Sequence, residues 1–183
     1  LESEDTVLII GSGALGSSIL RIVKQFHPRK IIVSDIDDAK LQEALNNGAT
    51  DVINSLKEDV PARCHELTDG YGVTVSIDAA CVKTSLITAL QATGCAGRVI
   101  TMGFSTAPTE VNQFLITSKE LDVRGSRLQN KMFGKAIEMI HAGTLNLSGS
   151  VSHTFPLTKA QEAFDFLDTR DPSIRKIVLT FDF

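Results

Sequence analysis

The sequence predicts an α/β fold in which helices cover both faces of a doubly wound, parallel β-sheet. Two observations predict it. Short runs rich in β-branched residues alternate with longer amphipathic segments, which is typical of βαβ units. These runs are apolar along nearly their whole length, as expected of parallel strands buried on both faces. With 183 residues, 43% of them hydrophobic, the chain can build one full domain and the beginning of another.

The first five predicted strands are short apolar runs. In chain order they are TVLII (6–10), KIIVSD (30–35), TDVIN (50–54), VTVSIDAA (73–80) and GRVITMGF (97–104). Helices are predicted between them at residues 15–26, 38–47, 57–68 and 85–93. Pro28 and Gly48 follow the first two helices, and both residue types commonly occur just after a helix end.

The alternation loosens after residue 108. VNQFLITSK (111–119) predicts a short helix, ELDVRGS (120–126) predicts a strand, and residues 131–142 predict another helix. A joint rich in glycine and serine at 148–150 precedes a last strand, helix and strand. The sequence therefore predicts one domain over residues 1–150 and a strand-helix-strand tail over residues 151–183.

Three glycines directly follow the first predicted strand. Gly11, Gly13 and Gly16 give the spacing G-x-G-x-x-G between a strand and a helix, the context that a dinucleotide-binding turn requires. The first glycine permits a tight turn, the second lets a pyrophosphate approach the backbone, and the third lets the helix pack closely. Free amide groups at the helix start would bind the anion. Taken alone, the spacing also fits a loop that merely tolerates glycine.

An acidic residue closes the second predicted strand. Asp35 follows Gly16 by about 20 residues, the offset expected of the acid that binds the adenosine ribose; an ordinary strand-end carboxylate is the alternative. A carboxylate accepts ribose hydroxyls but repels a 2′-phosphate, so Asp35 with Asp37 and Asp38 favours NAD over NADP. Lys40 either reaches the adenine or a phosphate, or is a solvated lysine on a helix surface.

Composition and charge favour a small-molecule partner. The formal net charge is -4 and no long basic run is present, so the sequence lacks the pattern of a protein that binds nucleic acid or an anionic membrane. Cys64, Cys81 and Cys95 are odd in number and far apart, which supports neither a disulfide framework nor a paired-cysteine zinc site. Reduced thiols and an acidic start unlike a signal peptide predict a cytoplasmic protein. Because Leu1 is not a methionine, we expect a piece of a longer chain.

The order of these pieces resembles a known family. GSGALG (11–16), SDIDDAKLQEALNNGATDVIN (34–54), SIDAAC (76–81), GRVITMGF (97–104) and KELDVRGS (119–126) are similar to the C-terminal, nucleotide-binding domain of zinc-containing medium-chain alcohol and polyol dehydrogenases. IDAAC, MGFS, ITSKEL, SRL and HTF look like the starvation-sensing and sugar-acid (L-galactonate type) dehydrogenase branch. The resemblance covers nearly the whole chain. It implies a Rossmann fold and an oxidoreductase that transfers hydride between a secondary alcohol and NAD.

The resemblance also implies which residues bind the cofactor. These are Gly11, Gly13, Ala14, Leu15 and Gly16 at the pyrophosphate, Asp35 and Lys40 at the adenosine end, Ala79, Ala80 and Cys81 along the trench, Met102, Gly103 and Phe104 beside the nicotinamide ribose, and the main chain near Ser126 and Leu128 at the carboxamide. Most of them follow predicted strands, where open parallel sheets bind ligands. Taken alone, Met102 and Phe104 would be core residues.

The family's chemistry belongs to a domain that this sequence lacks. Such enzymes bind a catalytic zinc through a cysteine, a histidine and a carboxylate, and the zinc polarises the substrate alcohol. We therefore predict no catalytic residue and no metal ligand here, since Cys64 and His65 are adjacent and face different sides of a helix. The tail from about Val151 would return to the missing catalytic domain. An edge strand between Ala107 and Asn112 would form a homodimer.

Two other function classes fit parts of the pattern. A stand-alone NAD-sensing regulatory module would need no second domain, although the tail after Val151 weighs against it. A methyltransferase that binds S-adenosylmethionine also has a glycine-rich turn after its first strand and an acid after its second. The third glycine, Gly16, and the parallel strands after it favour the dinucleotide.

Overall fold

The structure is a computed structural model that describes residues 1–128, 130–169, 171 and 173–181. The chain divides into two units, Leu1–Leu145 and Asn146–Phe183. The division lies in an irregular segment between a helix that ends at His141 and a strand that begins at His153. The division predicted between residues 150 and 151 falls in the same segment. Within the described residues, no helix combines the length and the apolar character needed to cross a membrane.

The first unit is built on one parallel sheet. Its strands are β1 (Thr6–Ile10), β2 (Lys30–Asp35), β3 (Asp51–Asn54), β4 (Val73–Asp78), β5 (Thr93–Thr101) and β6 (Asp122–Gly125). They lie in the order β3-β2-β1-β4-β5-β6, and every neighbouring pair is parallel. Their carboxyl ends therefore share one edge of the sheet. The strand order reverses between β1 and β4, the place where open α/β sheets bind ligands.

Helices cover both faces of this sheet. They are α1 (Ala14–Val23), α2 (Asp38–Asn47), α3 (Val60–Glu66), α4 (Ser85–Ala92), α5 (Phe114–Thr117) and α6 (Phe133–His141). One buried cluster joins Leu8 of β1 to Val60 of α3, and a second joins Ile9 of β1 to Leu20 of α1. Successive β1 side chains thus enter opposite core layers, as the two-residue period of a strand requires. The predicted doubly wound α/β fold is confirmed.

The second unit is a small strand-helix-strand element. It contains β7 (His153–Pro156), α7 (Ala160–Asp168) and β8 (Ile177–Thr180), and the two strands pair in parallel. Phe166 of α7 packs its ring edge-on against His153 of β7, with 4.8 Å between the ring centroids. The secondary structure predicted for the tail is therefore present.

Two strands end earlier than predicted. β4 stops at Asp78 rather than at residue 80, because Cys81 adopts a φ of +56° and donates its backbone N–H to Asp78 Oδ1 at 3.0 Å. β5 begins at Thr93 and stops at Thr101. The segment from Met102 onward therefore leaves the sheet and follows its carboxyl edge.

The segment between Ala107 and Asn112, predicted to be an edge strand at a dimer interface, forms no strand within a single copy of the chain. Residues 102–112 form no helix or strand, and the sheet ends at β6 on this side. Pro108 has no N–H to donate to a strand ladder. Among the described residues no strand pairs with this segment, so it lacks the hydrogen bonds that would hold it extended.

Candidate functional site

A tight turn joins β1 to α1 at the carboxyl edge of the sheet. Gly11 has a φ of +93°, and a Cβ at this position would lie 2.9 Å from the backbone N of Ala80. A Cβ on Gly16 would lie 1.8 Å from the carbonyl O of Gly11. Any larger residue would therefore push the turn away from β4 or from α1.

Gly13 has a different environment from the other two glycines of the motif. No heavy atom lies within 4 Å of the place where its Cβ would be, and it lines a groove of about 400 Å³. It is the N-cap of α1 and makes no side-chain cap, so the first backbone N–H groups of the helix have no partner within it. The turn thus presents bare backbone and a helix amino terminus to the groove, an arrangement that favours anions.

The Asp35 carboxylate holds this turn in place. At the end of β2, its Oδ2 accepts the backbone N–H of Ser12 at 2.6 Å. Its Oδ1 accepts the N–H groups of Ile36 at 2.8 Å and Asp37 at 3.1 Å. A carboxylate offers about four lone-pair sites, so three bonds leave Oδ2 able to accept one more hydrogen bond. Asp35 lines the same groove as Gly13.

Apolar side chains form other parts of the groove wall. Ile36, directly after β2, and Val82, shortly after β4, are 61% and 59% exposed, and both line the groove with Val60. Because β2 and β4 flank β1, Ile36 and Val82 lie on either side of the glycine turn. Sequence reasoning missed these three residues. The available signal was an isoleucine placed between Asp35 and Asp37 in an otherwise acidic turn.

Lys40 also lines the groove. It lies in the first turn of α2, and its Nζ is 3.9 Å from an Asp37 carboxylate oxygen. Asp37 caps the same helix by accepting the N–H of Ala39 at 2.8 Å. The lysine is therefore held at the rim of the groove by a weak ion pair.

A buried acid organises the turn after β4. Asp78 is buried, and its carboxylate accepts the Cys81 N–H and, at 2.9 Å, the Ser85 hydroxyl. Ser85 Oγ in turn accepts the backbone N–H of Val82 at 3.1 Å. Burial, and then the nearby Asp78 carboxylate, raise the pKa of the Cys81 thiol. The thiolate form of Cys81 is therefore disfavoured by its surroundings.

A second groove lies next to the first at the ends of β4 and β5. It also has a volume of about 400 Å³, shares Val82 with the first groove, and is lined by Cys81, Lys83, Thr101 and Gly103 among others. Ser126 follows β6 and donates its backbone N–H to Thr101 O at 2.9 Å, which ties the ends of β5 and β6 together.

The structure places every predicted site residue at the carboxyl edge of the sheet. The glycine turn follows β1, Asp35 ends β2, and residues 79–81 follow β4. Met102, Gly103 and Phe104 follow β5, and Ser126 and Leu128 follow β6. Neither Met102 nor Phe104 is buried. These two side chains are therefore not part of the hydrophobic core, which is where such residues would be expected on their own.

The part of the chain that the structure describes contains no group of three or more His, Cys, Asp or Glu side chains placed to hold a metal ion. Cys64 is fully buried, and this burial, with a smaller effect of Asp59, raises the pKa of its thiol to about 12. His65 instead places its Nδ1 3.1 Å from the Gly70 carbonyl O. Cys64 therefore lies in the core, whereas the His65 ring contacts a backbone carbonyl oxygen at the surface.

Comparison with known proteins identifies relatives of the whole chain. It is 33% identical over 178 residues to the starvation-sensing protein RspB of Escherichia coli strain K12. This alignment covers 97% of this chain and 52% of RspB. It is 32% identical to the D-arabitol-phosphate dehydrogenase of Enterococcus avium, over 90% of this chain and 48% of that protein. The chain thus spans about half the length of the curated relatives it matches.

A solved structure shares the fold described above. The short chain alcohol dehydrogenase (rspB) from E. coli CFT073, complexed with NADH, superposes with a TM-score of 0.91 and 32% sequence identity. The match covers 98% of this chain and 53% of that one. Residues 14–142 also match the family described as zinc-binding dehydrogenase. This chain therefore belongs to the zinc-binding dehydrogenase family.

Proposed function

We propose that this chain is the NAD-binding domain of a dehydrogenase that transfers hydride between NAD and a secondary alcohol of a polyol or sugar acid. The observation that carries the proposal is the open space at Gly13, where bare backbone and the amino terminus of α1 meet the groove. Membership of a dehydrogenase family supports it over a methyltransferase and over a stand-alone sensor.

The pyrophosphate would bind at the glycine turn. Gly13 leaves room for phosphate oxygens, and the N–H groups of Ala14, Leu15 and Gly16 at the start of α1 would donate to them. Asp35 supports this geometry because it already fixes Ser12 within the same turn.

The adenosine would occupy the first groove. The remaining lone pair of Asp35 Oδ2 would accept a ribose hydroxyl, and the apolar surfaces of Ile36 and Val82 would contact the two sides of the adenine ring. Asp37 and Asp38 add negative charge beside Asp35, which opposes a 2′-phosphate. Lys57 pairs with Asp38 at 2.6 Å and compensates part of that charge, so the discrimination against a 2′-phosphate rests mainly on Asp35. NAD is therefore preferred to NADP.

The nicotinamide end would lie across the ends of β4, β5 and β6. Ala79, Ala80 and Cys81 would line its path, Met102, Gly103 and Phe104 would contact the nicotinamide ribose, and the main chain near Ser126 and Leu128 would hold the carboxamide. When bound, NAD supplies the hydride acceptor. The chain's own residues bind and orient it.

A zinc ion does not fit the described residues, which offer no ligand set for it. We propose that zinc binds in the half of the related proteins that this chain does not span. We therefore expect this chain alone not to turn over an alcohol. In the second unit, Phe164 and Leu167 of α7 line an open apolar groove of about 210 Å³ with Ile177 and Leu179 of β8. We propose that the missing catalytic domain covers this face.

The protein is proposed to be cytoplasmic and to form a homodimer. Its three cysteines are all free thiols, which fits a reducing compartment. A second copy could pair with the unpaired residues between Ala107 and Asn112 and supply the strand partner that one copy lacks.

Calorimetric titration of the purified chain with NAD⁺, NADP⁺ and S-adenosylmethionine tests the proposal. We expect NAD⁺ to bind at least about tenfold more tightly than NADP⁺ because of the repulsion at Asp35, and S-adenosylmethionine not to bind. Binding of S-adenosylmethionine alone, or no NAD⁺ binding by a chain whose circular dichroism shows it folded, would overturn it.

A further inference from the structure

An arginine is held against an aromatic ring at the edge of the sheet. The guanidinium carbon of Arg127 lies 4.7 Å from the centroid of the Phe104 ring. Phe104 follows β5 and is 63% exposed, and Arg127 follows the adjacent β6. The hydrogen bond between Ser126 and Thr101 joins the two strand ends. The position of the arginine is therefore set by two neighbouring segments.

The Arg127 charge is available to a ligand. Within the described residues, the ion pairs found do not include Arg127. An arginine over an aromatic face keeps the N–H donors at the edge of its guanidinium plane free. Arg124, three residues earlier and also exposed, differs because the Asp122 carboxylate already pairs with it.

Sheet geometry separates Arg127 from the pyrophosphate site. Neighbouring strands lie about 4.8 Å apart, so β6, the third strand from β1, is about 14 Å from the glycine turn in the plane of the sheet. Arg127 is therefore on the nicotinamide side of the proposed cofactor site, between the two main-chain positions proposed to hold the carboxamide. An anion bound by Arg127 would therefore lie beside the proposed nicotinamide position and away from the glycine turn.

We propose that Arg127 is a specificity-determining residue that binds an anionic group, a carboxylate or a phosphate, on the alcohol substrate. This inference rests on the proposed NAD-binding function. Arg127 would form two parallel hydrogen bonds to two oxygens of the anion, and Phe104 would keep its guanidinium oriented. Lys83 lines the groove at the ends of β4 and β5 and is a second positively charged side chain at the carboxyl edge of the sheet.

Sulfite is a suitable probe for the charge beside the reacting carbon. Its sulfur lone pair adds to C4 of the bound nicotinamide ring of NAD⁺, the ring loses its positive charge, and the adduct carries a sulfonate anion at the carbon that accepts hydride. The adduct is followed by its near-ultraviolet absorbance. Sulfite affinity is measured at saturating NAD⁺ for the unchanged chain, Arg127→Gln and the matched control Arg124→Gln, with NAD⁺ affinity measured separately.

We expect Arg127→Gln to weaken sulfite binding by about tenfold or more, the loss expected for a hydrogen bond to a charged group, while NAD⁺ affinity and the unfolding temperature stay unchanged. Arg124→Gln should behave like the unchanged chain. Equal sulfite affinity in all three proteins overturns the inference and leaves the proposed function intact. A parallel loss of NAD⁺ affinity in Arg127→Gln also overturns it, because Arg127 would then bind the cofactor itself. No NAD⁺ binding by any of the three overturns the proposed function and the inference with it.

Competition identifies the source of the anion. Gluconate, sorbitol 6-phosphate and neutral sorbitol are each added to the NAD⁺-sulfite complex. Displacement of sulfite by either anion in the unchanged chain, reduced in Arg127→Gln, supports the inference and shows whether a carboxylate or a phosphate is preferred. If neutral sorbitol displaces sulfite as strongly as both anions do, the inference about Arg127 is contradicted.

Discussion

The Asp35 carboxylate accepts the backbone N–H of Ser12 at 2.6 Å and so ties the glycine turn to the end of β2. Ser12 is buried, so this N–H has no ready access to water. The acid that would bind the adenosine ribose therefore also holds the backbone that would bind the pyrophosphate. Cofactor binding and the local conformation of the turn depend on one side chain.

This double role predicts the effect of Asp35→Asn. An amide cannot accept from N–H groups on both of its terminal atoms, so a buried donor loses its partner and the free energy of unfolding falls by about 1–3 kcal/mol. NAD⁺ affinity falls at the same time. Denaturant unfolding and calorimetry measure the two effects. Asp69→Asn, the same change beside a groove at another part of the surface, is the control and should leave NAD⁺ affinity unchanged.

The glycines of the motif should separate into structural and binding positions. Gly16→Ala places a Cβ 1.8 Å from a carbonyl oxygen, and such overpacking lowers the free energy of unfolding by about 1–3 kcal/mol or more. Gly13→Ala meets no atom within 4 Å, so the protein should stay folded but lose NAD⁺ affinity at least about tenfold, since the methyl group occupies the phosphate space. Gly134→Ala, equally unobstructed, is the control. Full NAD⁺ affinity in Gly13→Ala would contradict this assignment.

Lowering the pH should reduce the free energy of unfolding because Asp5 becomes protonated. This buried carboxylate accepts the Thr74 hydroxyl at 2.7 Å and Arg98 at 2.5 Å. Burial alone would raise its pKa, but the hydrogen bonds from Thr74, the Glu2 N–H and Arg98 outweigh burial and lower the pKa below its usual 3.8. The pKa of Asp5 is thus lower in the folded chain than in the unfolded chain, where it is about 3.8. The ionised Asp5 therefore contributes fully to the free energy of unfolding above pH 3.8, and this contribution is lost as the pH falls from there towards the pKa of the folded chain.

Asp5→Asn measures that contribution. The substitution should lower the free energy of unfolding at pH 7 by about 1–3 kcal/mol, and the difference from the unchanged chain should shrink as the pH falls below 4. Urea unfolding at several pH values gives both curves. A difference that stays constant down to pH 3 would show that the charge of Asp5 does not stabilise the fold.

The three cysteines should report cofactor binding. Cys95 is exposed, Cys81 is half-buried at the groove and Cys64 is buried. We expect iodoacetamide at pH 7.5 to label Cys95 first, Cys81 slowly because burial and Asp78 raise the pKa of its thiol, and Cys64 only on unfolding. Bound NAD⁺ should slow the labelling of Cys81 several-fold and leave Cys95 unaffected. Peptide mass spectrometry measures each rate, and unchanged Cys81 labelling would place the cofactor elsewhere.

The sheet and its glycine turn could be predicted because local signals determine them. β-Branched runs mark β1 and β2, and the spacing of Gly11, Gly13 and Gly16 has a separate steric reason at each position. Element ends depend on side-chain contacts that a pattern does not show. The third helix begins at Val60 rather than at residue 57, because the Asp59 carboxylate caps it by accepting the Ala62 N–H at 2.8 Å.

Contacts between distant segments were the least predictable part of the site. Ile36 and Val82 line one groove only because β2 and β4 flank β1, and Arg127 meets Phe104 only because β6 lies beside β5. A sequence pattern contains no record of which strands are neighbours. The segment between Ala107 and Asn112 forms no strand in one copy of the chain for a related reason, since a strand depends on a partner as well as on its own residues.

The most direct measurement is an amide-resolved NMR titration of the ¹⁵N-labelled chain with NAD⁺. If the glycine turn binds the pyrophosphate, the largest shifts will occur at the amides of Ala14, Leu15 and Gly16, with further shifts at Ile36 and Val82. Tyr71, which lines a groove away from this edge, will not shift. Shifts confined to residues outside the glycine turn, or none at saturating NAD⁺, would contradict the assignment of this turn as the dinucleotide site.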